Sequence, residues 1–213
     1  MRILVIVSLL PCLIAASQLH NSPLSAVEPT VAIQPFIPKN FKLLSVAEGK
    51  LNADQQTDYA VVVERAATEL KPAARRLLVI VSDPEAENGL KIGQQYWRFI
   101  PLPSVEGEEP LTYLAINKGE LEVQFKPPNA GRSYVSYTFK PEGRRFVLSQ
   151  FQQYKVKPAT GMFSETLIKL DQGERELTSG SMSSPRHMKK TEKFKASQIW
   201  TPCRIDDPLN FEP

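Results

Sequence analysis

Apolar and polar side chains alternate with a period of two in the second half of this 213-residue chain. Residues 121–126 follow this alternation, and residues 135–140 repeat it. A period of two is typical of a β-strand that has one face on a core and the other in water. Turn-forming residues separate the two runs at 129–131, and a third run begins at Phe146 and reaches Tyr154. We therefore predict three successive antiparallel strands.

Two earlier segments, residues 59–63 and 77–81, are continuous apolar runs rich in β-branched residues. Runs of this kind indicate central strands that are covered on both faces. Residues 89–100 and 111–116 are further predicted strands, and eighteen prolines against ten glycines argue against long helices. The sequence predicts a mostly β fold: an antiparallel sheet or sandwich with few short helices, a disordered N-terminal lead-in and a basic C-terminal tail.

Residues 1–17 have the pattern of a secretory signal peptide. Arg2 precedes an apolar stretch over residues 3–16, and the small residues Ala15 and Ser17 suit a cleavage site. The stretch is shorter than the roughly 20 residues that a membrane-spanning helix needs. We therefore expect cleavage, export to the periplasm or the extracellular space, and no stable membrane insertion afterwards. A retained leader or a lipid on Cys12 is the alternative.

The rest of the chain divides into three predicted parts. Residues 18–40 contain four prolines and form a lead-in, residues 41–178 form the β-rich domain, and residues 179–213 form a linker and a basic segment. The positive charge of that segment favours a solvated face, with contact to an anion or a polymer as the alternative. Leader cleavage would leave Cys203 as the single cysteine, which excludes an internal disulfide. We interpret it as a half-buried thiol packed near Trp200, with intermolecular pairing as the alternative.

Composition and motifs exclude several classes of function. The net charge of +3 is too small to favour binding of nucleic acid. The two histidines, His20 and His187, lie in segments that we do not expect to be rigid, which argues against a serine–histidine triad. The sequence contains neither a Gly-x-Ser-x-Gly elbow nor a phosphate-binding glycine loop, and it lacks the histidine and cysteine cluster of a zinc site. We therefore assign no catalytic residue.

One loop, residues 49–58, has the spacing of a cation-binding loop. Asn52, Asp54 and Asp58 place oxygen atoms at alternating positions, as a hard cation such as calcium requires. Lys50, however, stands at the position of the first carboxylate, and a glutamine replaces the glycine of the sharp turn. We therefore favour a metal-free structural turn that the three side chains hold by hydrogen bonds, with no cofactor, and keep calcium as the alternative.

This loop resembles the Asp-x-Asn-x-Asp loops of integrin-type FG-GAP repeats and of dockerin-like modules, in which the loop leads directly into an apolar strand. A wider pattern is similar to a group of exported bacterial proteins of unassigned function. Its pieces are the loop and strand at 49–63, an arginine-led strand at 76–81, Tyr-x-Phe-Lys at 137–140, Arg-Phe-x-Leu at 145–148, Glu-Arg-Glu-Leu-Thr at 174–178 and the lysine-rich residues 189–195. The resemblance implies a secreted or periplasmic β-rich domain and brings no catalytic residues with it.

The sequence favours a non-enzymatic exported domain that binds a protein or an envelope polysaccharide through one sheet face or edge. Tyr96 and Trp97 are the predicted contact surface. One alternative is a hydrolase of envelope polymers, for which Glu108, Glu109 and Glu165 are candidate carboxylates. Another is an inhibitor or immunity-type protein that inserts a rigid loop into its partner.

Overall fold

The structure is a computed structural model that describes residues 31–52, 54, 56–195 and 200–211. Within these residues the chain forms eleven β-strands and two short 3-10 helices, Val31–Phe36 and Pro202–Arg204. The strands are β1 (Lys42–Gly49), β2 (Asp58–Arg65), β3 (Ala74–Ser82), β4 (Leu90–Tyr96), β5 (Leu111–Asn117), β6 (Glu120–Phe125), β7 (Tyr134–Glu142), β8 (Arg145–Lys157), β9 (Met162–Lys169), β10 (Glu174–Ser181) and β11 (His187–Lys193).

The strands form two antiparallel sheets in chain order. The small sheet contains β1 to β4, and the large sheet contains β5 to β11, each strand pairing with the next one along the chain. The mostly β fold predicted from the sequence is therefore confirmed, and so are the three successive strands β6, β7 and β8. Neither 3-10 helix, nor any other helix in the described ranges, is long and apolar enough to cross a membrane.

The main core lies between the two sheets. Alternate residues of β6 and β7 are buried, because the period of two turns every second side chain toward the small sheet. Phe99, which follows β4, fills the middle of this core. Its ring contacts those of Phe125, Tyr137 and Phe139 edge-on at centroid distances of 5.3–5.5 Å. Edge-on contacts of this kind place the positive ring edge against the negative ring face.

The small sheet is covered on both faces, as its two continuous apolar runs predict. Ala60 and Val62 of β2 face the core between the sheets, whereas Val61 and Val63 face a second core beneath the first 3-10 helix. Ile33 of that helix is fully buried in the second core. Residues 31–40 of the predicted lead-in therefore belong to the folded domain, and the remainder of that lead-in lies outside the described residues, as does the predicted signal peptide.

The two sheets approach each other most closely where β1 meets β5. A Cβ atom added to Gly49 would lie 2.5 Å from Cγ2 of Ile116 and 2.8 Å from its carbonyl oxygen. Because that oxygen belongs to the backbone of β5, a larger residue would push the sheets apart. Gly49 thus fixes the distance between the sheets at this edge.

The C-terminal part differs from the predicted linker and basic segment. Residues 174–193 form the β10–β11 hairpin, with Gly180 paired to His187 at its turn. Residues 200–211 then return to the core, where Ile205 and Phe211 are buried. The prediction of a half-buried thiol is also wrong, because Cys203 is exposed and unpaired on the outside of this returning segment.

Candidate functional site

The loop at 49–58, for which a metal-free turn is the favoured prediction and calcium the alternative, is held by hydrogen bonds. Asp58 is fully buried, and its two carboxylate oxygens accept the backbone N–H groups of Leu51 at 2.7 Å and Ser82 at 2.9 Å. Asp54 accepts the N–H of Gln56 at 2.9 Å and the hydroxyl of Ser82, which lowers its pKa, the hydroxyl having the larger effect. These bonds agree with the favoured structural turn.

The third member of the loop, Asn52, also bonds inside the turn. Its amide oxygen accepts the backbone N–H of Asp54 at 3.1 Å, and its amide nitrogen donates to the Ser82 hydroxyl at 3.4 Å. Within the described ranges, no three His, Cys, Asp or Glu side chains come together as a metal would require. Calcium at this loop remains a prediction that a binding measurement must decide.

The predicted contact surface is divided by the strand itself. Tyr96 points into the main core, where it is 2% exposed, and burial raises its pKa. Trp97 points to the opposite side and is 57% exposed. Because one ring is enclosed in the core and the other is exposed in the bend after β4, the two rings cannot form one platform. The prediction of a contact surface is therefore wrong for Tyr96. Trp97 packs beside other side chains, which are described below.

The three candidate glutamates do not meet. Glu109 uses both carboxylate oxygens to bind the guanidinium of the buried Arg75, at 2.8 and 2.6 Å. Glu108 accepts the backbone N–H of Asn129 at 3.1 Å. Glu165 lies on the outer face of the large sheet, whereas Arg75 and Glu109 lie at its inner side, so the sheet separates them. Glu109 is thus engaged by an arginine and Glu165 lies across the sheet from it, which is not the arrangement of a hydrolytic pair.

The most developed surface feature is a line of four rings across the outer face of the large sheet. We call Tyr134, Tyr154, Phe163 and His187 the aromatic row. Tyr134 stacks on Tyr154 with centroids 5.4 Å apart, Tyr154 stacks on Phe163 at 5.6 Å, and Phe163 meets the imidazole of His187 edge-on at 4.9 Å. The row thus spans five strands, from β7 to β11.

Strand register builds this row. Tyr134 pairs directly with Tyr154 across β7 and β8, and Val156, two residues further along the same face, pairs with Phe163. In β10 the same position is Gly180, which pairs with both Phe163 and His187. A Cβ atom there would lie 2.7 Å from Cδ2 of His187 and 3.2 Å from Cε1 of Phe163. The missing side chain lets these two rings meet across β10.

The aromatic row lies beside two cavities. One has a volume of about 550 Å³ and is lined by Tyr154, Phe163, His187, Glu165, Thr178 and the turn residues 182–185. The other, of about 720 Å³, lies toward Tyr134 and the C-terminal segment. Tyr154 and Phe163 line both cavities, so the two spaces are adjacent along the row.

Polar groups enter the first cavity beside the rings. Glu165 accepts a hydrogen bond from the side-chain amide of Gln152 and pairs across the sheet with Thr178. Burial, together with the Glu165 carboxylate, raises the pKa of Tyr134 and of Tyr154. Both phenols therefore stay protonated at neutral pH and can donate hydrogen bonds. Apolar rings with a few polar groups in a concave space are the usual composition of a ligand site.

Sequence reasoning missed the aromatic row because its members are far apart in the chain. The available signal was the alternation itself, which places Tyr134 on the polar side of β7 and Tyr154 on that of β8. That these residues are neighbours can be predicted only once the register of four strand pairs is known.

Comparisons of the chain with models of protein families, with curated proteins and with solved structures each find no match.

Proposed function

We propose that this protein is a non-enzymatic binding module that holds a neutral polysaccharide against the aromatic row. The observation that carries the proposal is the cavity of about 550 Å³ that is lined by three rings, one carboxylate and the hydroxyl-bearing side chains of Thr178, Ser183 and Ser184. A sugar unit has apolar C–H groups that pack on rings and hydroxyl groups that need acceptors. The cavity offers both kinds of contact at once.

The charge of the cavity favours a neutral sugar over an acidic one. Glu165 brings a negative charge that repels carboxylates and phosphates and accepts hydrogen bonds from hydroxyl groups. Lys189, the nearest lysine in the register, forms an ion pair with Glu176 at 2.6 Å instead. The second cavity shares Tyr154 and Phe163 with the first and is also lined by Lys155 and Lys157, whose ammonium groups can donate hydrogen bonds to the hydroxyl groups of a further sugar unit.

The proposal agrees with two further points. The candidate glutamates lie apart, which gives no support to the hydrolase alternative. The predicted signal peptide would deliver the protein to the cell envelope, where polysaccharide is abundant. Envelope polysaccharide is therefore the class of ligand that we propose, and binding of a protein partner is the competing outcome of the experiment.

The experiment is retention of the full chain on insoluble peptidoglycan, chitin and cellulose, measured as depletion from solution. We expect the protein to bind at least one polymer without releasing soluble sugar. Tyr154→Ala removes one of the two rings that both cavities share, and Glu165→Gln removes the charged acceptor. Each should weaken retention about tenfold, a loss of roughly 1.4 kcal/mol.

The matched control is Tyr113→Ala. Tyr113 is an exposed tyrosine of β5 that lines neither cavity, and its loss should leave retention unchanged. Equal retention of wild type and Tyr154→Ala would overturn the proposal, and so would the absence of retention on all three polymers. Release of reducing sugar that stops in Glu165→Gln would support the hydrolase instead.

A further inference from the structure

A second cluster of rings and charges lies on the outer face of the small sheet. We call Phe41, Arg65, Arg76 and Trp97 the arginine stack. The guanidinium of Arg76 lies between two rings, with its Cζ atom 3.4 Å from the centroid of Trp97 and 4.3 Å from that of Phe41. The guanidinium of Arg65 lies on the same Phe41 ring at 5.3 Å.

The register of the small sheet places these side chains together. Val63 pairs with Arg76, and Leu77 pairs with Tyr96, so Arg76 and Trp97 lie at neighbouring strand ends. Arg65 follows Val63 by two residues and therefore lies on the same face. This face belongs to the second core, on the far side of the small sheet from the large one.

The two arginines of the stack lack acidic partners, in contrast to their neighbour. Arg75, on the inner face, forms ion pairs with both Glu64 and Glu109. Across the described part of the chain, no carboxylate lies within ion-pair distance of Arg65 or Arg76. The Nε atoms of both are buried without an acceptor among the described residues. Nη2 of Arg65 donates a hydrogen bond to the carbonyl oxygen of Pro72 at 3.0 Å.

Two like charges without a counter-charge are unfavourable in a half-buried site. Burial, and then repulsion by Arg65, lowers the pKa of Arg76. An oxyanion near the terminal nitrogen atoms would offset that repulsion, and a guanidinium presents parallel N–H groups that match a carboxylate. The exposed side of the Trp97 ring adds a flat apolar surface next to these donors.

We propose that the arginine stack binds the carboxylate of an acidic sugar unit, with Arg65 and Arg76 holding its oxygen atoms and Trp97 packing on the sugar ring. The free indole surface favours a sugar over a small inorganic anion, because only a ligand with an apolar face gains from it. This site is independent of the aromatic row, which lies on the other sheet and whose first cavity contains the Glu165 carboxylate.

The experiment uses the fluorescence of Trp97. The chain has two tryptophans, and Trp200→Phe in the full chain leaves Trp97 as the single emitter. We expect polygalacturonate to change its emission with saturation and dextran, a neutral polymer, to leave it unchanged. Arg76→Gln should raise the dissociation constant at least tenfold, and Arg76→Lys should also weaken binding because an ammonium lacks the planar pair of donors.

Arg144→Gln is the matched control. Arg144 is an exposed arginine in the turn between β7 and β8, and its replacement changes the net charge equally. Circular dichroism checks that each variant folds, and Arg65→Gln tests the same site if Arg76→Gln does not fold. Unchanged binding in a folded Arg76→Gln or Arg65→Gln variant would overturn the proposal, as would an equal response to dextran.

Two further measurements identify the class of ligand and the site that binds it. Polyglutamate of equal charge carries carboxylates without sugar rings, so tighter binding of polyglutamate would mean an acidic peptide ligand and contradict an acidic sugar. Tyr154→Ala should leave the polygalacturonate response unchanged, and Arg76→Gln should leave retention on neutral polymers unchanged. The two proposals can therefore fail separately.

Discussion

At the scale of single residues, Asp58 holds the turn before β2 because its two oxygens satisfy two backbone donors. Asp58→Asn keeps one acceptor oxygen and replaces the other with an NH₂ group. That NH₂ group would face the backbone N–H of either Leu51 or Ser82. A buried donor left without an acceptor costs about 1–3 kcal/mol. We therefore expect the free energy of unfolding to fall by about 2 kcal/mol, measured by urea denaturation.

Asp54→Asn is the control for this change. Asp54 is an exposed residue of the same turn, so its amide should cost much less stability. Binding of calcium would give a different result. If the thermal midpoint is several degrees higher in calcium than in chelator, and if this difference disappears in Asp58→Asn, the loop binds the ion. The metal-free turn requires equal midpoints in both conditions.

Single residues also show where sequence reasoning stopped. Arg75 and Arg76 are adjacent and identical in type, yet one is buried between two carboxylates and the other stacks between two rings. The alternation of a strand predicts that they face opposite ways. It does not predict what each side chain meets, since the partners come from distant segments.

At the scale of elements, the β10–β11 hairpin is stabilised by ion pairs instead of a continuous apolar face. Glu176 lies between Lys169 at 2.8 Å and Lys189 at 2.6 Å, and Glu174 binds Lys193 at 2.6 Å. The hydrogen bond from Lys169, and then that from Lys189, lowers the pKa of Glu176 from 4.5 to about 2. Opposite charges on neighbouring strands therefore hold the last three strands together.

This shift predicts a pH dependence with a definite sign. Because the folded state lowers the pKa of Glu176, its stabilising effect is fully present above about 4.5 and is lost as the pH falls toward about 2. The thermal midpoint of Glu176→Gln should therefore lie below that of wild type near neutral pH, and the difference should shrink over this interval. Scanning calorimetry between about pH 2 and 7 measures it.

Glu87→Gln serves as the comparison for that titration. Glu87 is exposed in the β3–β4 turn and forms no ion pair with the residues that the structure describes, so its replacement should change the midpoint little. A difference between wild type and Glu176→Gln that stays constant down to about pH 2 would contradict the assignment of the ion pairs.

The hairpin also differs from the strands that could be predicted from the sequence. Strands β2, β3, β6 and β7 carry either continuous apolar runs or clean alternation, and the sequence indicates them correctly. Strands β10 and β11 are polar on both faces, so no apolar period marks them. Their signal is the two glutamates of β10 and the three lysines of β11, whose opposite charges become informative only when the strands are paired.

At the scale of the whole molecule, the C-terminal segment completes the core. The backbone N–H of Leu148 donates to the carbonyl of Trp200 at 2.8 Å, and the hydroxyl of Tyr137 donates to the carbonyl of Pro208 at 2.7 Å. Both bonds join the end of the chain to the middle of the large sheet. The buried hydroxyl of Tyr137 thus finds its acceptor in this segment.

Phe211 is the apolar anchor of that segment and the best place to test its role. Its ring packs edge-on against Trp200 at 4.8 Å and contacts Phe151 and Tyr137 at 5.7 and 5.9 Å. Phe211→Ala should lower the free energy of unfolding by about 3 kcal/mol, because it leaves a cavity beside these rings. Urea denaturation measures this loss, and Asp206→Ala, at an exposed position of the same segment, should change it by less than about 0.5 kcal/mol. If both variants unfold at the same urea concentration, the segment is only attached to the surface and the two sheets form the core without it.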